Sequence, residues 1–245
     1  IAQCLVGSEM CIRDRYKGHE VAAHTLTHPT IDRCPSVEIV QELLEDRKFL
    51  ESVMGYPIRG IAYPNGSYSK RIGSIARSIG YVYGRAVGDS YAMVHATELA
   101  NNDAQGPVPV GDETGFSLPS DFMEWKATCH HKHNLMKFGE NFKALYKKQY
   151  LYMMYVWGHS YEFENDNNWN LMDEFCSLIG GQDDIWYATN IEIVDYMDVF
   201  DRLQFAADLS FVYNPSAASA WLIINDTHVV EVKGGTTVDL KQYDN

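Results

Sequence analysis

From Tyr16 to about Phe205, short apolar runs alternate with segments whose apolar residues recur every three or four positions. That alternation predicts strands and amphipathic helices in turn, the pattern of a parallel α/β architecture. His19 to Ala23 reads as a strand. Pro35 to Met54 reads as a helix with Val37, Val40, Leu43, Leu44, Leu50 and Val53 on one side and Gly55 as its stop. Ile58 to Tyr63 is a second strand, ending at the turn Pro64-Asn65-Gly66. Lys70 to Ile79 is a helix closed by Gly80, and Tyr81 to Val87 is a third strand. Asp89 to Glu113 is rich in Asn, Asp, Gly and Pro and lacks periodicity, so an exposed loop or insertion is expected there. Helical character returns from His133 to Lys148, followed by a buried strand over the aromatic run Tyr150 to Trp157. A helix over Asn168 to Ile179 stops at Gly180-Gly181, a short strand covers Ile185 to Ala188, and a helix capped by Asn190 runs to Leu203.

Beyond Phe205 the pattern changes. Ser210 to Tyr213, Ala220 to Ile224, Thr227 to Val232 and Thr236 to Leu240 read as short strands, with turns at Asn225-Asp226 and Gly234-Gly235. The chain therefore divides into a main α/β domain over 16–206 and a small β appendage over 207–245. The segment from Cys4 to Arg15 fits neither a strand–helix pattern nor a signal peptide. Residues 1–15 are expected to be foreign, resembling a translated adapter scar, with authentic sequence resuming near Tyr16 and an upstream piece missing.

Composition narrows the function. Hydrophobic residues make up 46% of the 245 positions, enough for a substantial core, and 33 acidic against 20 basic residues give a net charge of −13. A chain this acidic lacks the basic face that displaces counterions from nucleic acid, and it lacks a polybasic membrane contact. With 16 Tyr and 5 Trp, its surface suits a neutral or cationic partner such as a sugar or amino-sugar. Five scattered cysteines without C-x-x-C spacing argue against a disulfide framework and a thiolate zinc site, and buried free thiols are expected. No run approaches the roughly 18 apolar residues of a transmembrane helix. Compartment (bacterial cell surface or cytoplasm) and oligomeric state stay open.

Three places could carry chemistry. His24 and His28 stand four apart just after a strand, and Pro29 disfavours helix at His28, which puts the pair on a βα loop where both imidazoles can reach one metal ion. Surface or capping roles compete with that reading. In Trp157-Gly158-His159-Ser160, one histidine sits at the end of a buried strand, a position suited to a general acid–base, or to an imidazole satisfied locally. Thr128 to His133 is dense in potential ligands, but adjacent side chains diverge, so a solvated or capping role is expected.

The order of these elements resembles the polysaccharide deacetylases, the NodB-homology proteins of carbohydrate esterase family 4. The resemblance rests on H-T-x-x-H-P (His24 to Pro29), Y-P-x-G (Tyr63 to Gly66) and G-H-S (Gly158 to Ser160), and spans about Tyr16 to Phe205. The runs beginning Tyr161-Glu162-Phe163-Glu164 and Asp184-Ile185-Trp186 further resemble a bacterial subgroup. The resemblance implies an incomplete, distorted (β/α) barrel, with the β appendage at its C-terminus. It implies a hydrolase of carbon–nitrogen bonds other than peptide bonds, acting on N-acetylated (or O-acetylated) carbohydrate with a divalent metal, most often zinc. His24 and His28 would be two metal ligands and His159 the acid that protonates the leaving amine. Tyr63 and Asn65 would form the substrate or oxyanion contact, through the backbone N–H near Asn65.

This sequence departs from the family pattern in two ways. The Thr-Phe-Asp-Asp-Gly motif, which supplies the third ligand and the general base, does not precede His24, so the chain as given is expected to be weak or inactive. Ala62 stands where the family has an arginine, and Arg59 or Arg85 is left to compensate. One competing reading is a non-catalytic carbohydrate-binding relative stacking sugars on Tyr63, Trp125, Trp157 and Trp186, at least two of which are expected in the core. The other is a structural α/β domain with incidental histidines.

Overall fold

The computed structural model describes residues 13–87, 115–145 and 150–243. The expected insertion over 89–113 and most of the 1–15 segment lie outside the described residues. The chain forms two compact units, Ile1–Tyr187 and Ala188–Asn245. That division falls upstream of the 206/207 boundary read from the pattern.

In the first unit, strands β1 (Gly60–Ala62), β2 (Tyr83–Ala86) and β3 (Trp125–Lys126) pair in parallel in that order. Ala62 stands opposite Arg85, and Arg85 opposite Trp125. A separate parallel pair joins β4 (Cys129–His130) to β5 (Val156–Trp157). These crossovers bear out the α/β pattern. Two glycines permit the packing of the first sheet. A Cβ on Gly60 would lie 1.9 Å from the Tyr83 ring, and one on Gly84 would lie 2.2 Å from the Tyr63 hydroxyl.

Helix α1 (Ser36–Met54) ends at Gly55, whose φ of 76° turns the chain out in the left-handed conformation while its N–H bonds to Glu51 O at 2.9 Å. Its buried face is Ile39, Glu42, Leu43, Val53 and Met54. Val37, expected on that face, is 69% exposed. Helix α2 (Lys70–Ser78) is capped by the Ser69 hydroxyl, which accepts from Ile72 N–H. The core beneath these elements gathers Ala23, Ile39, Leu43, Ile58, Ile61, Tyr63, Ile72 and Met123. Helices α3 (Leu135–Ala144) and α5 (Trp169–Ile179) pack a second cluster around Phe116, Cys129, Phe138, Phe142 and Phe175, and the short α4 (Ser160–Asn165) follows β5.

Three expected strands are shorter or absent. His19 to Ala23 reduces to one parallel bridge between Ala23 and Ile61, because the chain turns off at Thr25 with φ 67°. Tyr150 to Trp157 keeps only β5 and a bridge from Tyr152 to Ser117. Ile185 to Ala188 is irregular, strapped by the Tyr187 hydroxyl, which donates to Ile179 O at 2.7 Å and accepts from Gln182 N–H at 2.9 Å. Apolar composition makes a strand only where a neighbouring ladder is available.

The second unit holds α6 (Asn190–Asp201) and strands β6 (Gln204–Phe205), β7 (Phe211–Tyr213), β8 (Ala220–Ile224), β9 (His228–Val232) and β10 (Thr237–Asp239). Thr189, not Asn190, caps α6, with its N–H and hydroxyl on Glu192 Oε2 at 2.7 and 2.8 Å. β10, β7 and β6 form an antiparallel sheet, and β8 and β9 a hairpin. Asn225 and Asp226 both adopt positive φ (51° and 56°), as a two-residue hairpin turn of this hand requires. Cys34, Cys129 and Cys176 are free thiols, but only Cys129 is buried, and Cys176 is exposed. Among the described residues no helix is long and apolar enough to cross a membrane.

Candidate functional site

The loop carrying His24 and His28 is shaped by contacts to α1 and β1. Ala23 enters the sheet edge, bonding through its N–H to Gly60 O and accepting from Ala62 N–H, both at 2.9 Å. The next residue, His24, donates its backbone N–H to Asp46 Oδ2 at 2.8 Å. Glu42 then anchors the turn: its carbonyl accepts from Leu26 N–H at 3.1 Å. Its carboxylate accepts from the Thr27 N–H at 2.7 Å and from the Thr27 hydroxyl at 2.6 Å. That carboxylate is only 7% exposed, so its hydrogen bonds are what make its burial tolerable. Thr25 and His28 both hold positive φ (67° and 60°), and the Thr25 hydroxyl accepts from His28 N–H at 3.2 Å. The two imidazole rings come to 4.8 Å between centroids, edge to face.

The tautomer of His24 follows from its partner. Nδ1 lies 2.7 Å from Ala62 O, an atom that can only accept, so Nδ1 carries the proton and Nε2 keeps its lone pair. Burial lowers the His24 pKa, with the charges of His28 and Arg85 adding to it, against the raising effect of the Ala62 hydrogen bond and of Asp46. The imidazole is thereby kept neutral.

The turn after β1 places Asn65 on the surface at φ 54°, with Gly66 N–H closing onto Tyr63 O at 3.0 Å. Tyr63 itself is 1% exposed and its hydroxyl donates to Met123 O at 3.0 Å, while burial pushes its pKa far up. Its ring belongs to the core. Trp125 is likewise fully buried, whereas Trp186 is 59% exposed.

His159 follows β5 and caps α4. Glu162, one helical turn on, accepts from the His159 N–H and from His159 Nδ1, both at 3.0 Å. The same carboxylate takes His130 Nε2 at 3.1 Å and Lys132 Nζ at 3.3 Å. Burial works to raise the Glu162 pKa, but the bonds from His159 and Lys132 and the charge of His130 outweigh it and hold the group at about 2. Glu162 is thus an ionised acceptor, the proton stays on His159 Nδ1, and Nε2 is left for chemistry. His130 and His131, expected to be solvated or capping, are instead buried. His131 stacks on Phe163 at 4.2 Å, and burial lowers its pKa. The cause is β4, whose pairing with β5 draws this run inward.

Two donor sets could hold a metal. The ligand atoms of His130, His159 and Glu162 all lie within 4.8 Å of one another, the only such set of three among the described residues. Yet Lys132 N–H donates to His130 Nδ1 at 3.2 Å, which puts the His130 proton on Nε2, facing Glu162. That set is already joined by its own protons and fits an ion poorly. His24 and His28 fit better, since the lone pair of His24 Nε2 is uncommitted and the ring is neutral.

A cavity of about 470 Å³ opens beside His159, lined also by Arg85, His131, Trp157, Phe163 and Trp169. The Arg85 guanidinium lies over the Trp157 ring at 4.9 Å, and its charge also reaches His24. Of the two arginines left open by the sequence, Arg85 is the one at this cavity. Sequence reasoning missed Glu162, Glu42 and Asp46. Only Glu162 had a signal, since a residue followed three positions later by Glu is a capping-box pattern.

The sequence profile of the polysaccharide deacetylase family matches residues 8–84. No curated protein matches the chain. Among solved structures, a Mycobacterium smegmatis protein assigned to the polysaccharide deacetylases aligns at TM-score 0.53 and 17% identity, covering 79% of this chain and 68% of that one. The PuuE allantoinase aligns at TM-score 0.51 and 13% identity, covering 76% and 62%. A Streptococcus pyogenes deacetylase in complex with acetate overlaps less, at TM-score 0.32 and 20% identity over 33% of this chain, which spans 36% of that protein's length. At these identities the first two likenesses establish an α/β fold of the deacetylase and allantoinase barrel type, without a closed barrel among the described residues. The profile match over residues 8–84 includes the His24-to-His28 segment, and the α/β fold is similar to that of both neighbours.

Proposed function

We propose that this chain is part of a metal-dependent hydrolase that removes acetyl groups from N-acetylated (or O-acetylated) carbohydrate. One observation carries the reading: at both histidine stations Nδ1 is tied to an acceptor and Nε2 is left over. Burial lowers the His24 pKa, and its Nδ1 contact of 2.7 Å to Ala62 O leaves the Nε2 lone pair for an ion, as a ligand needs. His159 holds Nδ1 on the Glu162 carboxylate at 3.0 Å, which orients the ring as a general acid needs.

His24 and His28 would hold the ion, zinc by preference, which when bound supplies an activated water and charge for the oxyanion. Asn65 contributes through the backbone at its turn, orienting the acyl oxygen. His159 holds the proton at Nε2 and delivers it to the departing amine or alcohol, while Glu162 keeps the ring oriented and balances the charge it gains.

Among the described residues no carboxylate joins His24 and His28 as a third ligand. Low activity of this chain alone is the expected consequence. The same observation favours the second reading, a carbohydrate-binding relative that does no chemistry. Acetate release from acetylated chito-oligosaccharide separates them, assayed with the chain alone and with its upstream coding segment restored. The proposal expects little release in the first case and zinc-dependent release, lost in H159A, in the second. Restored protein that binds no zinc and releases no acetate overturns it.

A further inference from the structure

We propose that the cavity beside His159 binds a carboxylate, held by Arg85. Arg85 is a half-buried cation without a carboxylate partner among the described residues. Arg85 sits on β2 between Ala62 and Trp125, and the enclosed Nη1 makes no hydrogen bond. Its guanidinium forms no ion pair among the described residues, and burial depresses its pKa. A partly desolvated charge without a partner and an enclosed donor without an acceptor both cost stability.

Arg85 is not alone in this. Both ring nitrogens of His131, which is 2% exposed, and Nε1 of Trp157 are also enclosed without hydrogen-bond partners, His131 Nε2 coming no nearer to Glu162 Oε2 than 3.9 Å. All three residues line the same cavity, and no Asp or Glu lines it with them. Unsatisfied donors gathered at one concavity call for an acceptor-rich ligand. A neutral hydroxyl would accept a hydrogen bond but leave the charge unpaired, whereas a carboxylate supplies both and matches the planar guanidinium fork. The other walls, Phe163, Trp169, Met172 and Phe175, are apolar, which favours an anion carried on carbon over inorganic phosphate. The chain's net charge of −13 excludes general attraction of anions, so binding must come from this local arrangement.

The carboxylate could belong to a small free acid or to an acidic sugar, and the two are separable. The proposal concerns binding and stands independently of hydrolase activity. Titration calorimetry at fixed ionic strength should show saturable binding of sodium acetate or sodium glucuronate, and none of glucose or chloride. Glucuronate binding at least tenfold tighter than acetate assigns an acidic sugar, and comparable binding assigns a free carboxylate. Arg85→Gln should weaken binding at least tenfold, with Arg85→Lys intermediate. Because either variant could misfold, the wild-type protein supplies a second readout: the carboxylate should protect Arg85 from phenylglyoxal, mapped by peptide mass. Absence of carboxylate binding, phosphate binding more tightly than either carboxylate, or unprotected Arg85 at saturation would overturn the proposal.

Discussion

Glu162 receives His159 twice, once from its backbone N–H and once from ring Nδ1, each at 3.0 Å. The backbone bond closes the first turn of α4, and the ring bond selects the tautomer. One side chain therefore starts a helix and aims an imidazole, so the local fold and the proposed acid depend on the same carboxylate.

Replacing Glu162 with Gln should separate those roles. The amide oxygen can still accept a hydrogen bond, so the protein should fold, but the negative charge opposite the imidazole is lost. In protein with the upstream segment restored, kcat should fall about 10- to 100-fold with KM little changed. An unchanged kcat would contradict the arrangement.

Acid stability offers a second check. The Glu162 pKa lies near 2 in the folded chain against an ordinary 4.5, so the unfolded chain binds the proton more readily. Its contribution is complete above pH 4.5 and is lost as pH falls towards about 2. The stability difference between wild type and E162Q, from urea unfolding at several pH values, should shrink over that window and stay flat above it.

Glu42 should matter although it bears no catalytic role. Glu42→Ala strips Thr27 of two hydrogen bonds and leaves the His24-to-His28 turn without its anchor. A loss of about 2–4 kcal/mol in chemical denaturation is expected, with weaker zinc binding in the restored protein.

Gly158 is confined by its neighbour. A Cβ there would lie 1.9 Å from His131 Nδ1, so Gly158→Ala must displace the imidazole or the β5 backbone. Destabilisation of about 1–3 kcal/mol should follow, read as a lowered Tm.

Much of this was legible in the chain itself. Gly55 and Gly80 end their helices as expected, because a left-handed stop needs no distant partner. His24 and His28 approach each other, since four positions on a tight turn are enough. Glu42 was illegible for the opposite reason: a charged residue on an amphipathic helix reads as solvent-facing until its partner fifteen residues away is placed. Val37 failed in reverse, being apolar at the first turn of α1, where no neighbour covers it.

By itself the sequence determined the alternation of helix and strand, the turns at Asn65 and Asn225, and which residues bear imidazole and carboxylate groups. Those properties depend on contacts within a few positions or on side-chain chemistry alone. The tertiary structure decided that Tyr63 faces inward, that His130 and His131 are buried, and that Glu162 and Arg85 flank His159. Each of those outcomes depends on which strands lie side by side, a matter settled by packing between segments far apart in the chain.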